Sequence, residues 1–253
     1  MDRVDLNSDL GESFGRYTLG LDAEVIPLVS SVNIACGMHA GDPDVMRRTV
    51  KIAADAGVAI GAHPGYPDLQ GFGRRDMNLS PDEGYDCVLY QIGALAAFAQ
   101  AAGARLHHVK PHGQLYNRAA KDRPFADAIA QAVHDFDSSI VLVGLAGGQL
   151  IEAGRALGLT VAGEFFTDRN YNDDGTLVSR ARPDALITDD DFAVARVVRA
   201  VQTGTIESAT GKTIEVTADT ICVHGDNAHA LAFVRKTRTA LEEAGIAIKP
   251  CGA

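Results

Sequence analysis

The chain is poor in cysteine. Cys36, Cys87, Cys222 and Cys251 are scattered over 253 residues without a C-x-x-C pair. That usage signals neither a disulfide framework nor a closed structural zinc site, and the cytoplasm is the expected compartment. Charge of one sign is concentrated nowhere: 23 Lys and Arg stand among 33 Asp and Glu, for a formal net charge of −10. No basic patch or tail points to nucleic acid, and the acidity mainly implies solubility. No apolar run reaches the roughly 20 residues that cross a bilayer. The opening MDRVDLNSDL has neither the basic start nor the long apolar core of a signal peptide. Familiar catalytic signatures are missing too, including H-E-x-x-H and G-x-S-x-G. Gly211-Lys212-Thr213 imitates the end of a phosphate loop. However, six residues separate Gly204 from Gly211 where that motif needs four, and no strand precedes it.

What is there is a rhythm. Short β-branched runs at 3–7, 31–36, 58–62, 105–109, 139–145, 159–164 and 220–224 alternate with helical patterns, and 245–249 is a possible eighth strand. Ser80-Pro81-Asp82-Glu83 caps a helix whose apolar residues recur at i+3/i+4 until Gly103 stops it. Asp42-Pro43-Asp44 opens another, and 122–135, 148–157, 189–202 and 227–244 read likewise. The strands read as apolar on both faces, as parallel strands under helices do. Seven or eight βα units without a linker predict one α/β domain over 1–253, a (β/α) barrel rather than an open sheet. Residues 203–220 break the rhythm and read as an inserted hairpin.

Polar residues gather just after the strands. The first strand leads to Asn7, Asp9 and Glu12, and the second to Cys36 and His39. The third leads to His63 and Asp68, and the fourth to Lys110, His112, Tyr116 and Asn117. The sixth leads to Glu164, Asp168 and Arg169, and the seventh to His224, Asp226 and Asn227. Ligands bind at the carboxyl ends of parallel strands, where the βα loops converge. A lysine such as Lys110 at a barrel mouth needs an anionic partner. Cys36 reads as a small packed side chain, and His134 and His229 as ordinary helix residues. Arg74 and Arg75 either clamp an anion or stand in solvent. Such a cup suits either a divalent metal that activates water or direct acid–base work beside a charge-stabilising lysine.

Six segments carry a resemblance. They are Asp5-Leu-Asn-Ser-Asp-Leu-Gly-Glu12, Asn33-Ile-Ala-Cys-Gly-Met-His-Ala-Gly-Asp-Pro43, Gly61-Ala-His-Pro-Gly-Tyr-Pro-Asp68, Val109-Lys-Pro-His-Gly-Gln-Leu-Tyr-Asn117, Glu164-Phe-Phe-Thr-Asp-Arg-Asn-Tyr171 and Cys222-Val-His-Gly-Asp226. In these the chain resembles the family of 5-oxoprolinase A-subunits, also called lactam utilisation proteins. Departures are Met38, Thr167 and Ser179, where phenylalanine, alanine and proline are usual. The resemblance implies a distorted TIM-like barrel similar to the glycoside hydrolase/deacetylase superfamily. It also implies ATP-dependent opening of 5-oxo-L-proline to L-glutamate, with ADP and phosphate released. ATP with Mg²⁺ would be the co-substrate, no tightly bound cofactor is expected, and two further subunits, B and C, would be partners.

Strand-end position then suggests roles. Lys110 is expected to stabilise the transferring phosphoryl or the oxyanion, and His63 and His112 to exchange protons with the lactam nitrogen or water. Asp9 and Glu164 are expected to orient water or Mg²⁺, and Arg169 or Arg180 to hold the substrate carboxylate. Asn7, His39, Tyr116, Asp168 and His224 complete the expected binding set. Two alternatives stay open: a metal-dependent amidohydrolase or deacetylase with Asp9, His39 and His63 on the ion and no ATP, or a non-catalytic substrate-binding subunit.

Overall fold

The computed structural model describes residues 3–179, 181–223 and 228–252. Its strands are β1 (Arg3–Leu10), β2 (Ser31–Ala35), β3 (Ala59–His63), β4 (Leu106–Val109), β5 (Val141–Leu145), β6 (Val161–Phe166), β7 (Thr205–Glu207), β8 (Thr213–Glu215), β9 (Thr220–Cys222) and β10 (Ala247–Ile248). Among them run α1 (Asp22–Val25), α2 (Pro43–Asp55), α3 (Pro81–Ala101), α4 (Gly113–Ala119), α5 (Arg123–Phe136), α6 (Gln149–Ala156), α7 (Asp190–Thr203) and α8 (Ala228–Glu243). Strands β1 to β6 pair in sequence, all parallel, and β9 joins both β6 and β1, so seven strands close a barrel. The run at 245–249 does not complete an eighth stave. It shrinks to β10, which pairs only with Arg3 and Val4 at the start of β1. Between α7 and β9, β7 and β8 form a separate antiparallel pair. Among the described residues no helix is long and apolar enough to cross a membrane.

Local chemistry sets the elements. Asp42, Ser80, Asp122 and Asp189 each accept a first-turn backbone N–H, and Ser80 with Glu83 makes a reciprocal cap. Val88, Ile92, Leu95 and Ala99 give α3 one fully buried face against the barrel. Burying each large side chain of this kind contributes about 1.5–3 kcal/mol.

The inner face of the barrel is where the expectation of strands apolar on both faces fails. Along β1, Val4, Leu6 and Leu10 face the helices, while Asp5, Asn7 and Asp9 face the interior. Register sets Asp9 beside Asn33, Asn33 beside Gly61, Gly61 beside His108 and Glu164 beside Thr220. Asp5, Asn7, Asn33, His108, Lys110, Glu164 and Thr220 are all buried. They are tolerated inside because they satisfy one another. Thr220 donates to Asp5 at 2.5 Å, Asn33 donates to Asn7 at 2.7 Å, and His108 Nε2 lies 2.7 Å from Asn33 Oδ1. Short polar side chains among β-branched residues hide in hydropathy, because closure decides which face they take.

Gly61 makes this packing possible: a Cβ there would fall on the His108 ring. Gly61→Ala is expected to cost about 1–3 kcal/mol through overpacking. Gly93, exposed in the interior of α3 with nothing near its Cβ position, is the control, and Gly93→Ala is expected to be neutral or stabilising by up to about 1 kcal/mol. Paired urea denaturation curves measure both, and equal effects would remove the steric account.

Candidate active site at the carboxyl ends of the strands

Lys110 directly follows β4, and its ammonium sits inside the barrel mouth at 2 % residue exposure. Nζ lies 2.6 Å from Glu164 Oε1 and 2.9 Å from Asp9 Oδ1, and it donates to Asn7 Oδ1 at 3.1 Å. It also approaches Cys222 Sγ at 3.3 Å and the Phe166 ring at 5.6 Å. Burial alone would favour the neutral amine, but the adjoining carboxylates of Asp9 and Glu164 outweigh it and hold Lys110 well above the usual lysine range. Asn7 ties the triad to the wall through Nδ2, which donates to Thr220 Oγ1 at 2.6 Å and Glu164 Oε1 at 3.2 Å. Asn33 also donates to Asp9 Oδ1 at 2.8 Å.

Above Lys110 three imidazoles pack together. His63 Nδ1 donates to the Lys110 carbonyl at 2.7 Å, and His112 Nε2 donates to the Phe72 carbonyl at 2.8 Å. Their other nitrogens, His63 Nε2 and His112 Nδ1, face each other at 3.0 Å. His39 stacks on His112 with ring centroids 3.7 Å apart, and its Nε2 is 3.4 Å from Glu12 Oε1. Burial, then mutual repulsion among the rings, keeps His39 and His112 well below the ordinary imidazole range, and so neutral. Gly65 permits the crowding, since a Cβ there would meet the His39 ring.

These groups open onto a cavity of about 570 Å³. Asp9, His63, Lys110, His112 and Tyr116 line it, and Arg74, Arg118, Lys121 and Arg169 make its wall cationic. The volume lies within the range of small-molecule sites. Most of the residues singled out in the sequence therefore meet, but not all in the expected way. Glu164, expected to orient water or Mg²⁺, lies beneath Lys110 with no exposure and does not line the cavity; it serves as a buried counter-ion. Asp168 lines a neighbouring cleft with Thr167, Leu186, Ile187 and Phe233, because the chain turns away after β6. The side chain of Arg169 is buried on the cavity wall, with an Nη donating to the Val178 carbonyl at 2.6 Å. Arg180 and His224 lie outside the described residues. Asp68 holds Arg75 in an ion pair, whereas Arg74 reaches the cavity.

Asn33 and Thr220 emerge as members that position alone did not single out, and Glu12, noted past the first strand but given no role, joins the imidazoles. The signal for Asn33 and Thr220 was period-two alternation within the strands. The metal-capable group among the described residues is Glu12, His39, His63 and His112, with donor atoms all within 4.8 Å of one another. The set expected from the sequence, Asp9, His39 and His63, shares both histidines with it, while Asp9 pairs with Lys110 through one oxygen and lies 3.4 Å from His63 Nε2 through the other.

A closed parallel (β/α) barrel with charged and imidazole side chains converging at its carboxyl rim is the architecture of a small-molecule enzyme. The chain belongs to the LamB/YcsF family, whose pattern spans residues 4–253. It is 59% identical over 249 residues to the 5-oxoprolinase A-subunit of Tolumonas auensis, a match covering 98% of this chain and 99% of that one. It is also similar to the crystal structure of a lactam utilization protein from Thermus thermophilus. That match has a TM-score of 0.93 and 49% identity, covering 98% of this chain and 99% of the other. A T48 deacetylase, 14% identical with a TM-score of 0.50 over 97% of this chain and 86% of its own, shares the fold alone. That likeness agrees with the deacetylase-like barrel expected from the sequence.

By the same physics the thiols in this region are expected to be unreactive. Burial pushes Cys36 up to about 12, and burial raises Cys222 too, against the opposing charge of Lys110. Native protein treated with iodoacetamide near pH 8 should leave both unmodified by peptide mass spectrometry, while denatured protein labels at both. Rapid native labelling of Cys222 would show a thiolate paired with Lys110 and contradict this reading.

Proposed function

We propose that this chain is the A-subunit of an ATP-dependent 5-oxoprolinase, opening 5-oxo-L-proline to L-glutamate with release of ADP and phosphate, together with two partner subunits, B and C, in the cytoplasm. The observation that carries the reading is the ammonium of Lys110, clamped by two carboxylates at the floor of a cationic cavity. The kinship with proteins named as 5-oxoprolinase A-subunits supplies the substrate class.

A lactam is a poor electrophile. Transfer of the γ-phosphoryl of ATP to the lactam oxygen releases ADP and makes the ring carbon attackable by water. The C–N bond then breaks, the nitrogen leaves as the amine after taking a proton, and a second water cleaves the resulting γ-glutamyl phosphate to glutamate and phosphate. Lys110 faces the negative charge that develops on oxygen, in a site whose burial strengthens such contacts. Asp9 presents its second carboxylate oxygen toward the cavity and takes a proton from the attacking water. Glu164 positions Lys110 from below. Arg74, Arg118, Lys121 and Arg169 balance the carboxylate and phosphates entering the cavity. Mg²⁺ arrives with ATP as part of the co-substrate. The cavity offers few carboxylates, Asp9 and Asp122 among them, which suits an ion held mainly by phosphate oxygens.

The hydrolytic reading without ATP draws on one observation, the three imidazoles and Glu12 grouped over Lys110. One assay separates the two: glutamate formed from 5-oxoproline by this chain, alone and with its partner subunits, with ATP varied. Turnover that needs ATP and the partners supports the proposal, and full turnover without ATP overturns it. Lys110→Ala should lower kcat by about 10²–10³-fold in the complete system, the range for removing one charge-stabilising donor. A fully active Lys110→Ala variant would remove the assigned role.

A further inference from the structure

The histidine cluster poses a problem in hydrogen bonding. Carbonyl oxygens only accept, so the contact from His63 Nδ1 to the Lys110 carbonyl fixes a proton on Nδ1, and that from His112 Nε2 to the Phe72 carbonyl fixes one on Nε2. In neutral rings the remaining nitrogens carry lone pairs, and these two nitrogens face each other at 3.0 Å. His39, 1 % exposed, adds two buried ring nitrogens without a hydrogen bond. Glu12 Oε1 lies 3.4 Å from His39 Nε2 and 3.7 Å from His112 Nδ1. Three imidazoles and a carboxylate thus gather their donor atoms within 4.8 Å of one another. Buried lone pairs turned on one another are unfavourable unless a cation lies between them.

We propose that Glu12, His39, His63 and His112 hold one divalent transition-metal ion, of the zinc and manganese class, as a resident of this site. Three imidazoles and one carboxylate form a nitrogen-rich set that suits such ions and does not suit Mg²⁺ or Ca²⁺, which demand oxygen. The spacing fits. Bonds of 2.0–2.1 Å around a tetrahedral ion put ligand atoms about 3.4 Å apart; three of the contacts here are 3.0, 3.4 and 3.7 Å, and the whole set lies within 4.8 Å, so small side-chain shifts close it on an ion. The outer contacts fit as well, since metal-bound histidines commonly donate their other N–H to a backbone carbonyl, as His63 and His112 do. His39 and His112 are stacked 2° from parallel, so one plane must tilt for both lone pairs to meet an ion. His39 is the ring to turn, because no hydrogen bond holds its nitrogens. A bound ion would supply Lewis-acid polarisation of a substrate oxygen or a water of lowered pKa. Asp9, 3.4 Å from His63 Nε2, stands beside the site as a proton acceptor.

This inference goes beyond the lactam reading and is tested without it. The full chain is stripped with a chelator, then titrated separately with Zn²⁺, Mn²⁺ and Mg²⁺ by isothermal calorimetry, with bound metal counted by mass spectrometry after gel filtration. One Zn²⁺ or Mn²⁺ per chain, unaffected by excess Mg²⁺, is expected. Glu12→Gln and His112→Asn should each weaken binding more than about 100-fold, beyond what loss of an outer contact costs, with circular dichroism confirming that each variant is folded. Less than a tenth of an equivalent bound by the wild-type chain would overturn the site, and a shared proton would then be what joins His63 to His112. Binding that both variants retain would place the metal elsewhere and overturn it equally. Loss of the metal site would leave an ATP-dependent lactam activity standing, and failure of that activity would leave a measured metal site standing.

Discussion

One buried ammonium organises the carboxyl end of this barrel. Lys110 has left water almost completely, which is unfavourable for a charge unless anions travel with it. Asp9 and Glu164 are those anions, one on the first strand and one on the sixth, and the lysine follows the fourth. An interaction between residues so distant in sequence exists only if the sheet closes with these strands in register. The triad and the barrel therefore require each other. Removing one partner would leave a buried charge less than fully compensated, a loss of about 3–5 kcal/mol in comparable sites.

Around the triad the barrel trades hydrophobic packing for polar satisfaction. Asn7, Asn33, His108 and Thr220 fill the centre, where a (β/α) barrel usually carries branched apolar residues. Each side chain spends its donors and acceptors on neighbours, so the set is rigid rather than merely polar. Rigidity is what a charge-stabilising group needs, since a lysine free to follow solvent would reorganise during reaction and lose its advantage. The same construction explains the crowded rings: Gly61 leaves space for His108 and Gly65 for His39.

Much of this was legible in the sequence, for physical reasons. The strands and long helices follow from β-branched runs, caps and i+3/i+4 spacing, and a parallel barrel necessarily gathers strand ends. Asp9, His63, Lys110 and His112 could therefore be placed at one rim. What could not be read depends on closure and on turns. Glu164 reads from the sequence as a strand-end residue like Lys110, yet β6 runs on to Phe166, which sets it inside the barrel below the lysine and out of the cavity. Asp168 and Arg169 are neighbours in sequence, but the chain turns after β6 and sends them to different clefts. Glu12 and His112 join His39 and His63 in the metal-capable group, while Asp9 sets one oxygen on Lys110 and the other 3.4 Å from His63, a division visible only in three dimensions. The eighth strand was reduced to β10 because β9 already occupies the edge of β1.

The claim that the rest depends on is that Lys110 and Glu164 form one buried, mutually dependent pair. A double-mutant cycle on folding stability measures it directly, using Lys110→Met, Glu164→Gln and the combination in urea denaturation. The account predicts a coupling free energy above about 1 kcal/mol, within the range of residues sharing one ionic network. Effects that add to within about 0.3–0.5 kcal/mol would mean that the two residues fold independently, and would contradict it.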